Sequence, residues 1–219
     1  MPGDIKKENN RKIILDLCGG TGAWSNPYKK AGYSVFNITL PEQDVCVFDP
    51  FQYEPLERKS IYGILAAPPC THFSFARTHP KIPRDLGSGL WIVKACLNII
   101  WSCQQQYKNQ NQKMPPLKFW CLENPNGWLK FFLGKPIFEF DPYEFGDNYS
   151  KKTHLWGYFN SPRILPLFDK NRHTPFKRMS AKKDFKSIGD NIFRNAKTRQ
   201  ELRSITPPKF AQAFFEANR

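Results

Sequence analysis

Two short segments of the sequence carry side chains that fit catalytic chemistry. The segment PPCTHFS (68–74) places Cys70 directly after a pair of prolines, at the end of an apolar run. A thiol just beyond a parallel strand faces the ligand crevice, where it can act as a nucleophile. The segment ENP (123–125) ends the next apolar run with Glu123. Burial beside the crevice would raise the pKa of this carboxyl and let it hold a proton for a substrate nitrogen.

A glycine turn, DLCGGTG (16–22), follows the first apolar run. Gly20 and Gly22 have no Cβ to obstruct a ligand, and the amides of such a turn bind polar groups. The spacing departs from GxGxxG, and Thr39 and Leu40 stand where a dinucleotide-binding protein carries an acid. The pattern therefore argues against a dinucleotide-dependent dehydrogenase. A turn that only lets a helix pack on a strand remains the alternative for this segment.

The remaining cysteines and histidines predict neither a disulfide framework nor a metal site. No CxxC pair occurs, and we expect reduced thiols, with five core cysteines besides Cys70: Cys18, Cys46, Cys96, Cys103 and Cys121. Cys70, His72 and His79 lack a fourth ligand at a usual zinc spacing, so no metal is predicted. His72 can instead line the pocket.

These segments need an alternating α/β scaffold. Apolar runs at RKIILDL, YSVFNITL, YGILAA and KFWCLEN predict buried strands, and residues 86–107 have apolar positions three and four apart, as in a helix lying on a sheet. The alternation predicts an α/β fold with a doubly wound, mainly parallel sheet. We divide the chain into a core (1–157), a basic recognition segment (158–205) and a C-terminal helix (206–219) that packs back on the core.

Charge and composition indicate the partner class. The chain has 219 residues, a net charge of +14 and 40% hydrophobic residues, which excludes intrinsic disorder and favours a polyanionic partner. The stretch from Tyr158 to Ile205 holds 12 Lys and Arg against 4 acidic residues. No apolar run reaches the roughly 20 residues of a membrane span, and the N-terminus has no signal-like stretch. We therefore expect neither a membrane-spanning nor a secreted protein.

The ordered set DLCGGTG, PPCTHFS, ENP and the terminal PPKFAQAFFEAN resembles the cytosine-C5 DNA methyltransferases, most closely the compact versions of phages and viruses. The resemblance implies a Rossmann-like methyltransferase fold, S-adenosylmethionine as cofactor, and a flipped-out cytosine of DNA as substrate. Cys70 would attack C6 of the cytosine, and Glu123 would hold N3. A monomer in the cytoplasm is expected, of the host cell if the protein is viral, with the nucleus as an alternative in a eukaryote.

The resemblance also implies roles for further residues. Cofactor contacts would come from Asp16, Gly20, Gly22, Trp24, Asp44 and Pro68. Trp24 would lie over the methionine end of the cofactor, and Asp44 would bind the adenine amino group. Contacts with the cytosine would come from Phe73, Ser74, Asn124 and Pro125.

The sequence departs from the family at the strand that normally supplies an arginine to the cytosine. The family's Gln-x-Arg-x-Arg pattern should fall near FGDNYSKKTHLWG, where Lys151, Lys152 and Thr153 stand. Lys152 is the candidate for the catalytic cation, as a point charge without the fork of a guanidinium. The Gly-Asn pair that precedes the last helix in the family is replaced by SITPP.

The region between Tyr158 and Ile205 is short and offers little surface for reading bases, so it predicts a relaxed or very short target sequence. The class of substrate is not determined by the sequence. The same chemistry on tRNA or on a free cytidine nucleotide is an alternative, and a non-catalytic nucleic-acid-binding protein that keeps the fold is another. An amino-methyltransferase is less favoured, because it has no need of a thiol after the paired prolines.

Overall fold

A computed structural model describes residues 8–53, 60–78, 82–109, 117–167, 169 and 199–219. Most of the predicted recognition segment, at 168 and 170–198, lies outside the described residues, as does His79.

Six strands form one mixed sheet. They are β1 (Lys12–Leu17), β2 (Ser34–Ile38), β3 (Ser60–Ala66), β4 (Phe119–Pro125), β5 (Phe138–Phe140) and β6 (Thr153–Tyr158), in the spatial order β2-β1-β3-β4-β6-β5. Neighbours from β2 to β4 pair in parallel, whereas β6 is antiparallel to both β4 and β5. Only β6 therefore runs against the others, and the prediction of a mainly parallel sheet is confirmed.

Helices cover both faces of this sheet. They are α1 (Asn26–Lys30), α2 (Leu86–Asn109), α3 (Lys130–Leu133), α4 (Arg199–Ser204) and α5 (Pro208–Ala217), with a 3-10 helix at Pro142–Phe145. One apolar cluster joins the sheet to α2, and a second joins its other face to α1 and α5. Two buried faces are what a doubly wound sheet requires, and they explain why β1 and β4 read as continuous apolar runs.

The expectation that no apolar run reaches the length of a membrane span does not hold for α2, which is long and apolar enough to cross a membrane by length and composition alone. Its Val93, Cys96 and Ile100 are buried in the same cluster as Ile64 of β3 and Leu122 of β4. The core helix of a soluble fold passes the same test of length and composition.

Helix α5 packs against the sheet through aromatic rings. Phe210 stacks on Phe140 of β5 at a centroid distance of 4.0 Å, and Phe214 meets Trp24 edge-on at 5.4 Å. Burial of several rings at one contact is a large apolar contribution for a helix of ten residues.

Candidate active site

The turns after β3 and β4 are held together at one edge of the sheet. The Asn124 side-chain amide donates to the Pro68 carbonyl at 2.9 Å, and the Trp128 N–H donates to the Phe73 carbonyl at 2.9 Å. Ser74 and Gly127 form an isolated antiparallel bridge, where a Cβ on Gly127 would overlap the Phe73 backbone. The two segments that carry Cys70 and Glu123 therefore form a single braced unit.

Cys70 is half-buried at the start of a tight turn. Its carbonyl accepts the N–H groups of Phe73 and Ser74 at 3.0 and 2.9 Å. Burial raises the pKa of the thiol, and the charge of Glu123 raises it further, whereas Lys151 and Arg203 lower it. The thiol therefore lies within electrostatic reach of a carboxylate and two cations, one of which, Arg203, comes from α4.

Glu123 lies buried on β4 and faces one lysine. Its Oε1 has no hydrogen-bond partner among the described residues, and the Lys151 Nζ lies 3.9 Å from it. Burial raises the pKa of this carboxyl, and Lys151 opposes the shift. Desolvation favours the protonated acid, which is the form that donates a hydrogen bond to a ring nitrogen.

The structure places Lys151, and not the predicted Lys152, beside Glu123. The half-exposed Lys152 pairs with Glu139 at 2.9 Å, and the buried His154 also faces Glu139. Successive residues of an extended chain point to opposite faces. Lys151 therefore shares the face of Glu123, and Lys152 shares the face of His154.

Two arginines brace the turn that carries the thiol. Arg84 donates to the carbonyls of His72, Ser74 and Arg77, and Arg77 donates to the carbonyl of Thr71. The His72 ring Nδ1 accepts the backbone N–H of the residue after Arg84, at 2.9 Å. This imidazole therefore braces the turn.

The predicted cytosine contacts mostly have structural partners. Phe73 is fully buried, with its ring beside Gly89 and 6.5 Å from Phe132, so the prediction that it contacts substrate is corrected to a core role. Ser74 is buried, and its Oγ accepts the Ala76 N–H. Asn124 has its amide nitrogen engaged but its Oδ1 without a partner among the described residues.

A polar cradle forms where β1 and β2 end. Asp16 is buried, accepts a hydrogen bond from the Ser25 hydroxyl at 2.5 Å through Oδ2, and leaves Oδ1 without a partner among the described residues. The Asn37 amide donates to the Gly20 carbonyl at 2.9 Å, and the Oδ1 of Asn37 is likewise unpartnered. Burial raises the pKa of Asp16 to about 6. Asn37 is not among the predicted site residues, although its polar side chain in the second predicted strand could have indicated it.

The glycine turn places no side chain against this cradle, where a Cβ on Gly19 would overlap Asp16 and Asn37 Oδ1. Gly20 and Gly22 have φ of +54° and +69°, and a Cβ on Gly20 would meet nothing within 4 Å. A ligand with ammonium, amine or hydroxyl donors fits the two unpartnered oxygens of Asp16 and Asn37. S-adenosylmethionine carries all three donor types, so the residues present fit that cofactor.

Three further residues predicted to bind the cofactor have neighbours within the protein. Trp24 is 1% exposed and packs on Phe210 and Phe214, which places its ring in the core. Asp44 is exposed in the loop after β2, where its carboxylate accepts the backbone N–H two residues on. Pro68 is buried and acts through its carbonyl, as the acceptor for Asn124.

Comparison with solved structures finds a similar fold. The chain is similar to DNMT2 from Spodoptera frugiperda. The match to a crystal structure of a DNMT2 mutant has a TM-score of 0.40 and 14% sequence identity, and it covers 78% of this chain and 61% of the DNMT2 chain. The chain thus spans less than two thirds of the DNMT2 chain. No family model and no curated protein matches the sequence.

Proposed function

We propose that the protein is an S-adenosylmethionine-dependent methyltransferase that methylates C5 of a cytosine in DNA through a covalent adduct with Cys70. The observation that carries the proposal is the joint placement of a half-buried thiol and a buried carboxyl at the ends of adjacent parallel strands. One half-buried lysine, Lys151, acts electrostatically on both.

The residues divide the chemistry between nucleophile and acid. Cys70, as thiolate, adds to C6 of the cytosine, which breaks the aromaticity of the ring and makes C5 a carbon nucleophile. Protonated Glu123 hydrogen-bonds N3 and stabilises the charge that develops when the C6–S bond forms. S-adenosylmethionine supplies an electrophilic methyl group. Loss of the C5 proton then expels Cys70 as thiolate and restores the aromatic ring.

Lys151 acts on the pKa of both groups in the same sense, by lowering it. It lowers the pKa of Cys70, which favours the attacking thiolate, and it limits the rise in the pKa of Glu123. A single ammonium between an acid and a nucleophile therefore adjusts both protonation states. Arg203 also lowers the pKa of Cys70, but it is not a cause of the pKa shift of Glu123.

The cofactor cradle would hold S-adenosylmethionine through Asp16 and Asn37. Their unpartnered oxygens accept hydrogen bonds, and the open space at Gly20 leaves room for a ligand. Substituting Asn37 by Leu should weaken cofactor binding measured by calorimetry, with folding checked by circular dichroism. Unchanged affinity would contradict the assignment of this cradle.

Trapping of the covalent adduct tests the proposal. An oligonucleotide with 5-fluorocytosine cannot lose the C5 substituent as a proton, so Cys70 stays bonded to C6 after methylation. We expect the wild type to form the adduct with labelled cofactor and Cys70→Ala to form none. Cys46→Ala is the matched control, because it alters another half-buried thiol in a different loop. Methylation by Cys70→Ala would refute the proposed nucleophile.

The nucleic acid substrate is tested in the same assay. DNA and RNA oligonucleotides of one sequence, together with free cytidine nucleotide, are compared with labelled cofactor. We expect DNA to be labelled fastest. Faster labelling of RNA or of the nucleotide would keep the chemistry and change the substrate.

A further inference from the structure

Exposed aromatic rings lie beside the turn that carries Cys70. We call them the aromatic surface: Phe75, Trp91, Trp128, Phe131 and Phe132. Phe131 is 72% exposed and Trp91 is 62% exposed. Large apolar rings at this level of exposure are costly in water, and several together mark an interaction site.

The aromatic surface is attached to the catalytic edge of the sheet. The Phe75 N–H donates to the Asn126 carbonyl at 3.3 Å, three residues after Glu123, and the Trp128 N–H donates to the Phe73 carbonyl. Phe132 and Trp91 then line a groove of about 480 Å³ between α3 and α2. The rings therefore extend from the thiol turn to the outer side of α2.

Cations accompany the rings. Each charge centre lies between 5.5 and 5.9 Å from a ring centroid, in the pairs Lys130 with Phe75, Lys130 with Phe131, Arg84 with Trp128 and Lys94 with Trp91. The one acidic residue within 82–94 and 126–133 is Asp85, whose carboxylate accepts the N–H and hydroxyl of Ser88. The local charge therefore complements a polyanion.

We infer that the aromatic surface binds unpaired bases of a single strand of nucleic acid next to the target cytosine. Bases stack on exposed aromatic rings without regard to sequence, while cations beside the rings hold the phosphates. A duplex hides the faces of its bases and offers phosphates alone. The inference rests on the proposed function, since it names the state of the substrate that the same site receives.

Binding of a strand without cytosine tests the inference apart from catalysis. The probe is fluorescein-labelled oligothymidylate of about 16 nucleotides, with fluorescence anisotropy as the measurement. We expect Trp91→Ala and Phe131→Ala each to weaken its binding about fivefold or more, the lower end of what one base–ring stack contributes. Trp91→Phe should restore most of the affinity, because it keeps a ring.

Trp101 provides the matched control. It is also 62% exposed and lies on α2, but it is ten residues from Trp91 and outside the groove. Trp101→Ala should change the affinity by less than about twofold, and a duplex of equal length should distinguish the three variants by less than about twofold. Circular dichroism checks that all variants are folded.

The outcomes separate this inference from the proposed function. If the wild type forms no adduct but its binding of oligothymidylate still depends on Trp91 and Phe131, the proposed methyltransferase function is refuted and the inferred binding surface is supported. No binding by the wild type, equal effects of Trp101→Ala, or equal effects on duplex would overturn the inference. If oligothymidylate binds Trp91→Ala and Phe131→Ala as tightly as the wild type, the inference is refuted, and the aromatic surface would be assigned to a partner of another class, such as a protein.

Discussion

Replacing Lys151 by Met removes the cation that lies 3.9 Å from the Glu123 carboxylate. The two side chains are 17% and 7% exposed, and Coulomb's law with an effective dielectric constant of about 20 gives about 4 kcal/mol at this distance. A buried carboxylate without its cation costs about 3 to 5 kcal/mol. We expect Lys151→Met to lower the free energy of unfolding by about 3 kcal/mol at a pH where Glu123 is ionised.

The pH dependence has a definite sign. Burial raises the pKa of Glu123, and Lys151 lowers it, so Lys151→Met moves the pKa higher still. The stability deficit of this variant should vanish at low pH, where the carboxyl is neutral in both proteins, and grow as the pH rises. Urea unfolding followed by tryptophan fluorescence, for Lys151→Met, Glu123→Gln and the double variant, measures the coupling energy.

Lys152→Met is the control for this experiment. Its ammonium is closer to a carboxylate, 2.9 Å from Glu139, but the side chains are 53% and 39% exposed. Solvent screening limits such a pair to about 1 kcal/mol or less. A coupling energy below about 0.5 kcal/mol for Lys151 with Glu123, or an equal loss in Lys152→Met, would refute the reasoning that burial outweighs distance here.

Three further predictions concern the thiol and the cradle. Glu123→Gln should speed the alkylation of Cys70 by iodoacetamide several-fold above the pKa of Glu123, because the carboxylate charge raises the pKa of the thiol and its removal lowers that pKa; peptide mass spectrometry measures the rate. Gly19→Ala should lower the free energy of unfolding by about 1 to 3 kcal/mol in urea, because its Cβ would overlap Asp16 Cγ and Asn37 Oδ1. Asp16, with its pKa raised from 3.8 to about 6, should contribute a stability loss of about 3 kcal/mol as the pH rises through that range, and Asp16→Asn should remove that slope in denaturant titrations.

The sequence predicts the long elements of the fold well. Strands β1 to β4 are apolar runs closed by glycine, proline or polar residues, and α2 repeats its apolar positions over more than five turns. The short elements are not predicted from the sequence. Strand β5 has three residues and α3 has four, too few to show a period. Contacts distant in sequence hold β5, such as the stacking of Phe140 on Phe210 and the bond from the Ile137 N–H to the Leu155 carbonyl.

The sequence predicts the position of those site residues that directly follow or end a buried strand. Cys70 and Glu123 could be assigned to one edge because each follows a buried run of a parallel sheet. The choice between Lys151 and Lys152 depended on which alternate residues along β6 share the face of Glu123 on β4, and this requires the strand register. Trp24 beside the glycine turn was equally compatible with a ligand contact and with the core, and only the position of α5 decides between them.

The bond from the Asn124 amide to the Pro68 carbonyl has a consequence for how the protein could change. Because each turn is anchored to the other, the separation of Cys70 and Glu123 is set during folding, so a ligand that contacts both would lose little entropy in organising them. Replacing only one of the two turns by the corresponding turn of a related protein would disturb the hydrogen bond that joins them. Recombination at this edge should succeed only when both turns move together.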